Sequence, residues 1–141
     1  MTTGFNLDLR LTADTLPVCD LPISIVRLMN DVRFPWLILI PRRTGATELF
    51  DLSSTDRHQL FNEVVQVSTA LQTLCAPKKL NVAAIGNIVA QLHVHVVARY
   101  ENDAAWPRPV WGVGIAEPYT QAKADALVSS LKRALAAESM R

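Results

Sequence analysis

The chain lacks most features that would commit it to a special environment. Only two cysteines, Cys19 and Cys75, occur in 141 residues, with no Cys-x-x-Cys pair. That excludes a disulfide framework and makes a reducing, cytoplasmic setting the expectation. No apolar run approaches the ~20 residues needed to span a bilayer, so no membrane segment is expected. Met1-Thr2-Thr3-Gly4-Phe5-Asn6 has no basic stretch leading into an apolar one, so no signal peptide is expected either. Charge of one sign is also missing: 14 basic residues face 13 acidic ones, for a net charge of +1. A general nucleic-acid surface is thereby excluded, while one local phosphate pocket is not. There is no internal repeat and no low-complexity tract. What is present is a chain half hydrophobic, long enough for one real core, and read as a single domain, 1–141.

Ile23 to Met29 is β-branched and apolar-rich, the pattern of a strand, and Asn30-Asp31 marks a turn after it. Trp36 to Ile40 gives the next strand, stopped by Pro41. Ser53-Ser54-Thr55-Asp56 is a helix-start pattern, and the helix it opens sets Leu60, Val64, Val67, Leu71 and Leu74 on one stripe. Pro77 ends that helix. Lys79 to Ile85 reads as a strand, Gly86-Asn87 as a turn, and residues 88–99 as a further strand. Residues 101–111 form a loop, and a last helix begins near Thr120 with Leu127, Leu131 and Leu135 as its buried ridge. Adjacent antiparallel strands with a long helix packed on them and a C-terminal helix predict an α+β fold.

The most informative segment is Gln91-Leu92-His93-Val94-His95-Val96-Val97. Side chains alternate between strand faces, so Gln91, His93 and His95 share one face, about 6.8 Å apart, and Leu92, Val94 and Val96 share the other. The apolar parity predicts a core face. The polar parity aligns two imidazoles and an amide.

This segment resembles the histidine triad (HIT) family of nucleotide hydrolases and transferases, whose signature is His-φ-His-φ-His-φ-φ with φ apolar. Gln91 stands at the first histidine, and Val96-Val97 supply the closing pair. Upstream, Leu37-Ile38-Leu39-Ile40-Pro41-Arg42-Arg43 is similar to the family's Leu-Val-Ile-Pro-Lys strand end, and the resemblance runs over about residues 23 to 99. It implies a HIT-like fold, a purine nucleotide or nucleotide conjugate as ligand, no cofactor, no metal, and a homodimer. The dimer surface would use the helix stripe ending near Leu74 with the Trp106 to Trp111 loop. It also implies that His93 attacks the α-phosphorus, that His95 assists the leaving group and that Gln91 supports the phosphate environment. Gln91 is able to hydrogen-bond but not to shuttle a proton. Substrate-binding positions carried over are Asn30 at the ribose, with Asn81 and Asn87 near the phosphate. Departures from the family pattern are Trp36 and Thr44, where histidines often stand, and Ile88 in place of a polar Ser/Thr.

An imidazole is a good nucleophile toward phosphorus, and covalent catalysis splits the cleavage of a phosphoanhydride or phosphoramidate into two displacements. Two other readings stand beside this one. The first is a nucleotide-binding module of the same fold without turnover. The second is a small metalloprotein using His93 and His95, with a third ligand from His58, Cys19, Cys75 or a carboxylate.

Overall fold

A computed structural model describes residues 4–138; residues 1–3 and 139–141 of the single-domain span, including the first three of the N-terminal stretch, lie outside the described residues. In chain order it contains helix α1 (Leu9–Asp14), strands β1 (Thr15–Asp20), β2 (Ser24–Met29) and β3 (Trp36–Pro41), and a single 3-10 turn at Leu49–Asp51. Helix α2 (Ser54–Cys75), strands β4 (Lys79–Ala83) and β5 (Val94–Arg99), and helix α3 (Gln121–Glu138) complete it. The strands form one antiparallel sheet in the order β1-β2-β3-β5-β4. The fold is α+β, as the sequence predicts.

Local chemistry accounts for the boundaries. Ser53 Oγ accepts the Asp56 N–H at 3.1 Å and caps α2, while Ala76 closes the helix in the left-handed region at φ 45° before Pro77. The α2 stripe buries Leu60, Val64, Val67 and Leu71, while Leu74 at its end is exposed. Nothing before Ile23 is assigned from the sequence, and α1 and β1 escape it. Helix α1 is too short to show a periodic stripe, and Pro17 interrupts β1. As an edge strand with a register shift between Pro17 and Cys19, β1 tolerates the missing N–H.

The motif strand is shorter than expected, beginning at Val94 rather than Ile88. Its neighbours set the limit: β3 pairs no further than Leu39 with Val94, and β4 no further than Ala83 with His95. Residues 84–93 therefore run as a loop. The parity nevertheless survives into it, because Leu92, Val94 and Val96 all join the core against α2 and α3. The other face is not a solvated row. Phe34, Trp36, Ile38, Ile40 and Val97 pack there against Leu11 of α1 and Ala105 and Val110 of the long loop. A second apolar layer thus covers the histidine face, and His93 and His95 are 7% and 5% exposed.

Val94 is 6% exposed within the larger core. Val94→Ala is expected to lower stability by about 1–3 kcal/mol through lost burial and an incompletely closed cavity. Urea denaturation measures it, and a loss under about 0.5 kcal/mol, typical of surface positions, contradicts the assigned register.

Candidate active site

His93 ends the 84–93 loop and His95 is the second residue of β5, which brings their ring centroids to 4.8 Å at an interplanar angle of 66°. His93 Nδ1 lies 2.6 Å from the main-chain carbonyl oxygen of Gln91. A carbonyl only accepts, so Nδ1 carries the proton and the lone pair resides on Nε2. His95 Nδ1 accepts the indole N–H of Trp36 at 3.0 Å. Burial first, and then the neighbouring His93, push His95 down to about 3, so it is neutral at neutral pH.

Two cavities meet at His93. One, of about 450 Å³, is walled by α1 through Arg10, Leu11 and Asp14, by Met29 and Trp36, by the 85–89 stretch, and by His95 and Trp111. The other, of about 270 Å³, lies among residues 47–50, 84–86 and Gln91-Leu92. Gly86 takes φ 68°, a conformation that favours glycine, and the turned loop sets Asn87 on the wall of the larger cavity. An extended strand would have left Asn87 about 20 Å from His93.

The long loop after β5 supplies a cover. Trp111 stands edge-on to His95 at 5.1 Å and to Trp36 at 5.8 Å, and Trp106 lies over the Arg99 guanidinium at 5.7 Å. A clamp fixes the loop. Asp31 accepts from Arg33 Nε and Nη2 and from the Glu117 N–H, and Arg33 Nη1 donates to the Val113 carbonyl.

Of the residues singled out from the sequence, His93, His95 and Asn87 come together. Gln91 reaches His93 through its main chain, while its amide is taken up elsewhere. Oε1 accepts the Asp8 N–H at 2.9 Å and Nε2 donates to the Asn6 carbonyl at 2.8 Å. The expected row of three side chains is therefore two imidazoles and an anchor for the N-terminal segment. Asn30 departs from its expected place at the ligand. Its Oδ1 accepts the Tyr119 N–H at 2.9 Å, and it lines a separate cavity against α3. Asn81 departs too, with Oδ1 accepting from Arg99 Nη1 at 2.8 Å beside the buried Arg99–Asp103 pair. Arg43 pairs with Asp56, and Arg42 donates to the carbonyls of Leu21 and Pro22; neither lines the two cavities. Sequence reasoning missed Arg10, Leu11 and Asp14 together with α1, and it missed Trp36 as the partner of His95. The absent histidine at position 36 was the available signal.

Because Gln91 brackets the segment leading into α1, and α1 walls the larger cavity, Gln91→Ala is expected to loosen that wall. Amide hydrogen exchange at Asp8 should accelerate, and KM should rise more than kcat falls. Unchanged exchange at Asp8 rules out the anchoring role.

The HIT domain family matches residues 11–102. Among solved structures, the chain is 44% identical to a histidine triad protein from Bradyrhizobium japonicum, covering 93% of this chain and 98% of that one, with a TM-score of 0.91. It is 43% identical to a histidine triad protein from Sinorhizobium meliloti 1021, covering 94% and 98%, with a TM-score of 0.92. A histidine triad protein from Marinobacter aquaeolei VT8 is 40% identical, covering 93% and 96%, with a TM-score of 0.91. No curated protein matches. The chain belongs to the histidine triad (HIT) family.

Proposed function

We propose that the protein is a nucleotide hydrolase or nucleotidyl transferase that works through a covalent nucleotidyl-histidine on His93. The observation that carries this reading is the 2.6 Å contact of His93 Nδ1 with the Gln91 carbonyl, which leaves the lone pair on Nε2 of a residue that lines both cavities. An in-line displacement needs room ahead of the nucleophile for the phosphorus, the nucleoside and the departing group. In the first step the Nε2–P bond forms and the bond from phosphorus to the leaving oxygen or nitrogen breaks. His95 assists that departure. In the second, water attacks phosphorus, the P–Nε2 bond breaks, and nucleoside monophosphate leaves with His93 restored.

The family's substrates support a purine nucleotide or nucleotide conjugate in the larger cavity, with Asn87 near the phosphate. Asn30 and Asn81 act one step away, by holding Tyr119 and Arg99. Incubation with an α-labelled adenylated substrate, followed by denaturation at neutral pH, tests the reading. Acid-labile label on the wild-type chain and none on His93→Ala is expected, with and without chelator. Binding without label favours the non-catalytic module. Label lost with chelator favours a metal centre, although among the described residues no group of three or more His, Cys, Asp or Glu gathers to hold one.

A homodimer is part of the same reading. Strand β4 is an edge strand, and Val82 on it is 51% exposed beside Phe61 at 68%, Val65 at 48% and Leu49 at 49%. This band, rather than the Trp106–Trp111 loop, is the surface to pair, because Trp111 is occupied against His95 and Trp36. Exposed apolar surface next to an unpaired strand edge favours association. Light scattering at micromolar concentration should give twice the 15.6 kDa chain mass, and Phe61→Asp should return it to 15.6 kDa. A wild-type monomer removes the claim.

A further inference from the structure

Trp36 makes a contact that its place in the apolar layer does not require. It pairs with Val97 across the sheet while Ile38 pairs with His95, so Trp36 and His95 are diagonal neighbours on one face. Their ring centroids are 5.6 Å apart, and both side chains are buried. The indole Nε1–H is directed at His95 Nδ1, at 3.0 Å.

An indole N–H only donates, so the imidazole nitrogen it meets must present its lone pair. A neutral imidazole then carries its single proton on the other nitrogen. His93 is set in the opposite sense by a group that only accepts. We propose that Trp36 is a positioning residue that fixes His95 as the Nε2–H tautomer, so that the site presents one imidazole lone pair, on His93, and one imidazole donor, on His95. The proposal rests on the phosphoryl-transfer reading of the site. The lone pair attacks phosphorus, and the N–H meets the oxygen or nitrogen on which charge develops. The reversed tautomer of His95 would turn a second lone pair toward an anionic phosphate, where it repels.

The surroundings reinforce this assignment. Trp111 packs edge-on against both rings and holds their planes. His93 is the nearest titratable group, and α1 contributes Arg10 and Asp14, 3.5 Å from each other, across the cavity. No other charged side chain from β3, the 84–93 loop or the long loop lines that cavity. A second proton on His95 has to enter at Nδ1, which the indole already occupies. The imidazolium form therefore gives up the Trp36 hydrogen bond, and removal of that bond makes His95 easier to protonate.

The test combines ring-nitrogen NMR of 15N-histidine-labelled protein with kinetics on an adenosine phosphoramidate. His95→Ala assigns the His95 signals. In the wild type, His95 should show an unprotonated Nδ1 and a protonated Nε2, unchanged from pH 8 to pH 5. In Trp36→Phe it should exchange between tautomers. Turnover in Trp36→Phe should drop at least about tenfold with KM within about twofold, and the acid limb of its pH profile should move to higher pH. Should Trp36→Phe not fold, 3-benzothienylalanine at position 36 keeps the bicyclic shape and omits only the N–H. A wild-type His95 protonated at Nδ1, or a tautomer unaltered when the N–H is removed, overturns the assignment. A lost tautomer with unchanged turnover and pH profile overturns the catalytic consequence. Absence of any turnover in the wild type counts against the proposed function instead, and the NMR result still decides what Trp36 does.

Discussion

His93→Ala should lose three orders of magnitude or more in turnover while the protein stays folded. An essential nucleophile has no substitute once its Nε2 is gone, and His95 faces Trp36 with its other nitrogen. The fold should survive because His93 stands where two cavities meet, outside the apolar cluster beneath α2. Steady-state kinetics with an adenosine phosphoramidate, alongside a urea melt, separate the two effects. Near wild-type rates in the variant end the covalent mechanism; a collapse of stability instead assigns His93 to the core.

Asp103→Ala should be the costliest substitution for stability, at about 3–5 kcal/mol. The carboxylate is 3% exposed and accepts from Arg99 Nε at 2.8 Å and Nη2 at 3.1 Å. It also accepts from the N–H groups of Tyr100, Ala105 and Trp106. Truncation leaves the Arg99 guanidinium, in a residue 1% exposed, without its counter-charge and leaves three loop N–H groups without their acceptor. Since the same loop carries Trp111 to the histidines, activity should fall as well. Denaturant titration checks the loss, and a cost under 1 kcal/mol means the pair contributes little.

The same carboxylate sets a pH dependence. Burial alone raises its pKa, but Arg99 and the three backbone N–H groups outweigh burial and hold it at about 2. The unfolded chain takes up the proton near ~3.9, before the folded one does. The stabilisation is therefore complete above about pH 4 and disappears as pH falls toward 2. His95 contributes in the same direction at milder acidity. Held at about 3 by burial and by His93, it stays neutral in the fold while the unfolded imidazole protonates near ~6.5. Stability from this group is complete above that value and declines as pH drops through the interval below it.

Much of the fold was legible because its signals are local. Leu92, Val94 and Val96 alternate with His93 and His95, and period-2 burial places the two sets on opposite faces wherever the strand lies. The Ser53 cap and the stripe from Leu60 to Leu71 announce α2 in the same way. What local patterns lack is partners. β5 starts at Val94 because β3 and β4 offer nothing earlier, and that limit is written in other strands.

The family, the α+β class and the placing of His93 with His95 on one face are readable without coordinates, because each rests on patterns complete within short stretches of chain. What each polar group of the site meets is set by the closed fold. Trp36 and His95 are 59 residues apart, Gln91 and Asp8 are 83 apart, and Asn30 and Tyr119 are 89 apart. Hydrogen bonds of a few ångströms across such separations exist only once the sheet and its covering loops have closed, and no periodicity encodes them.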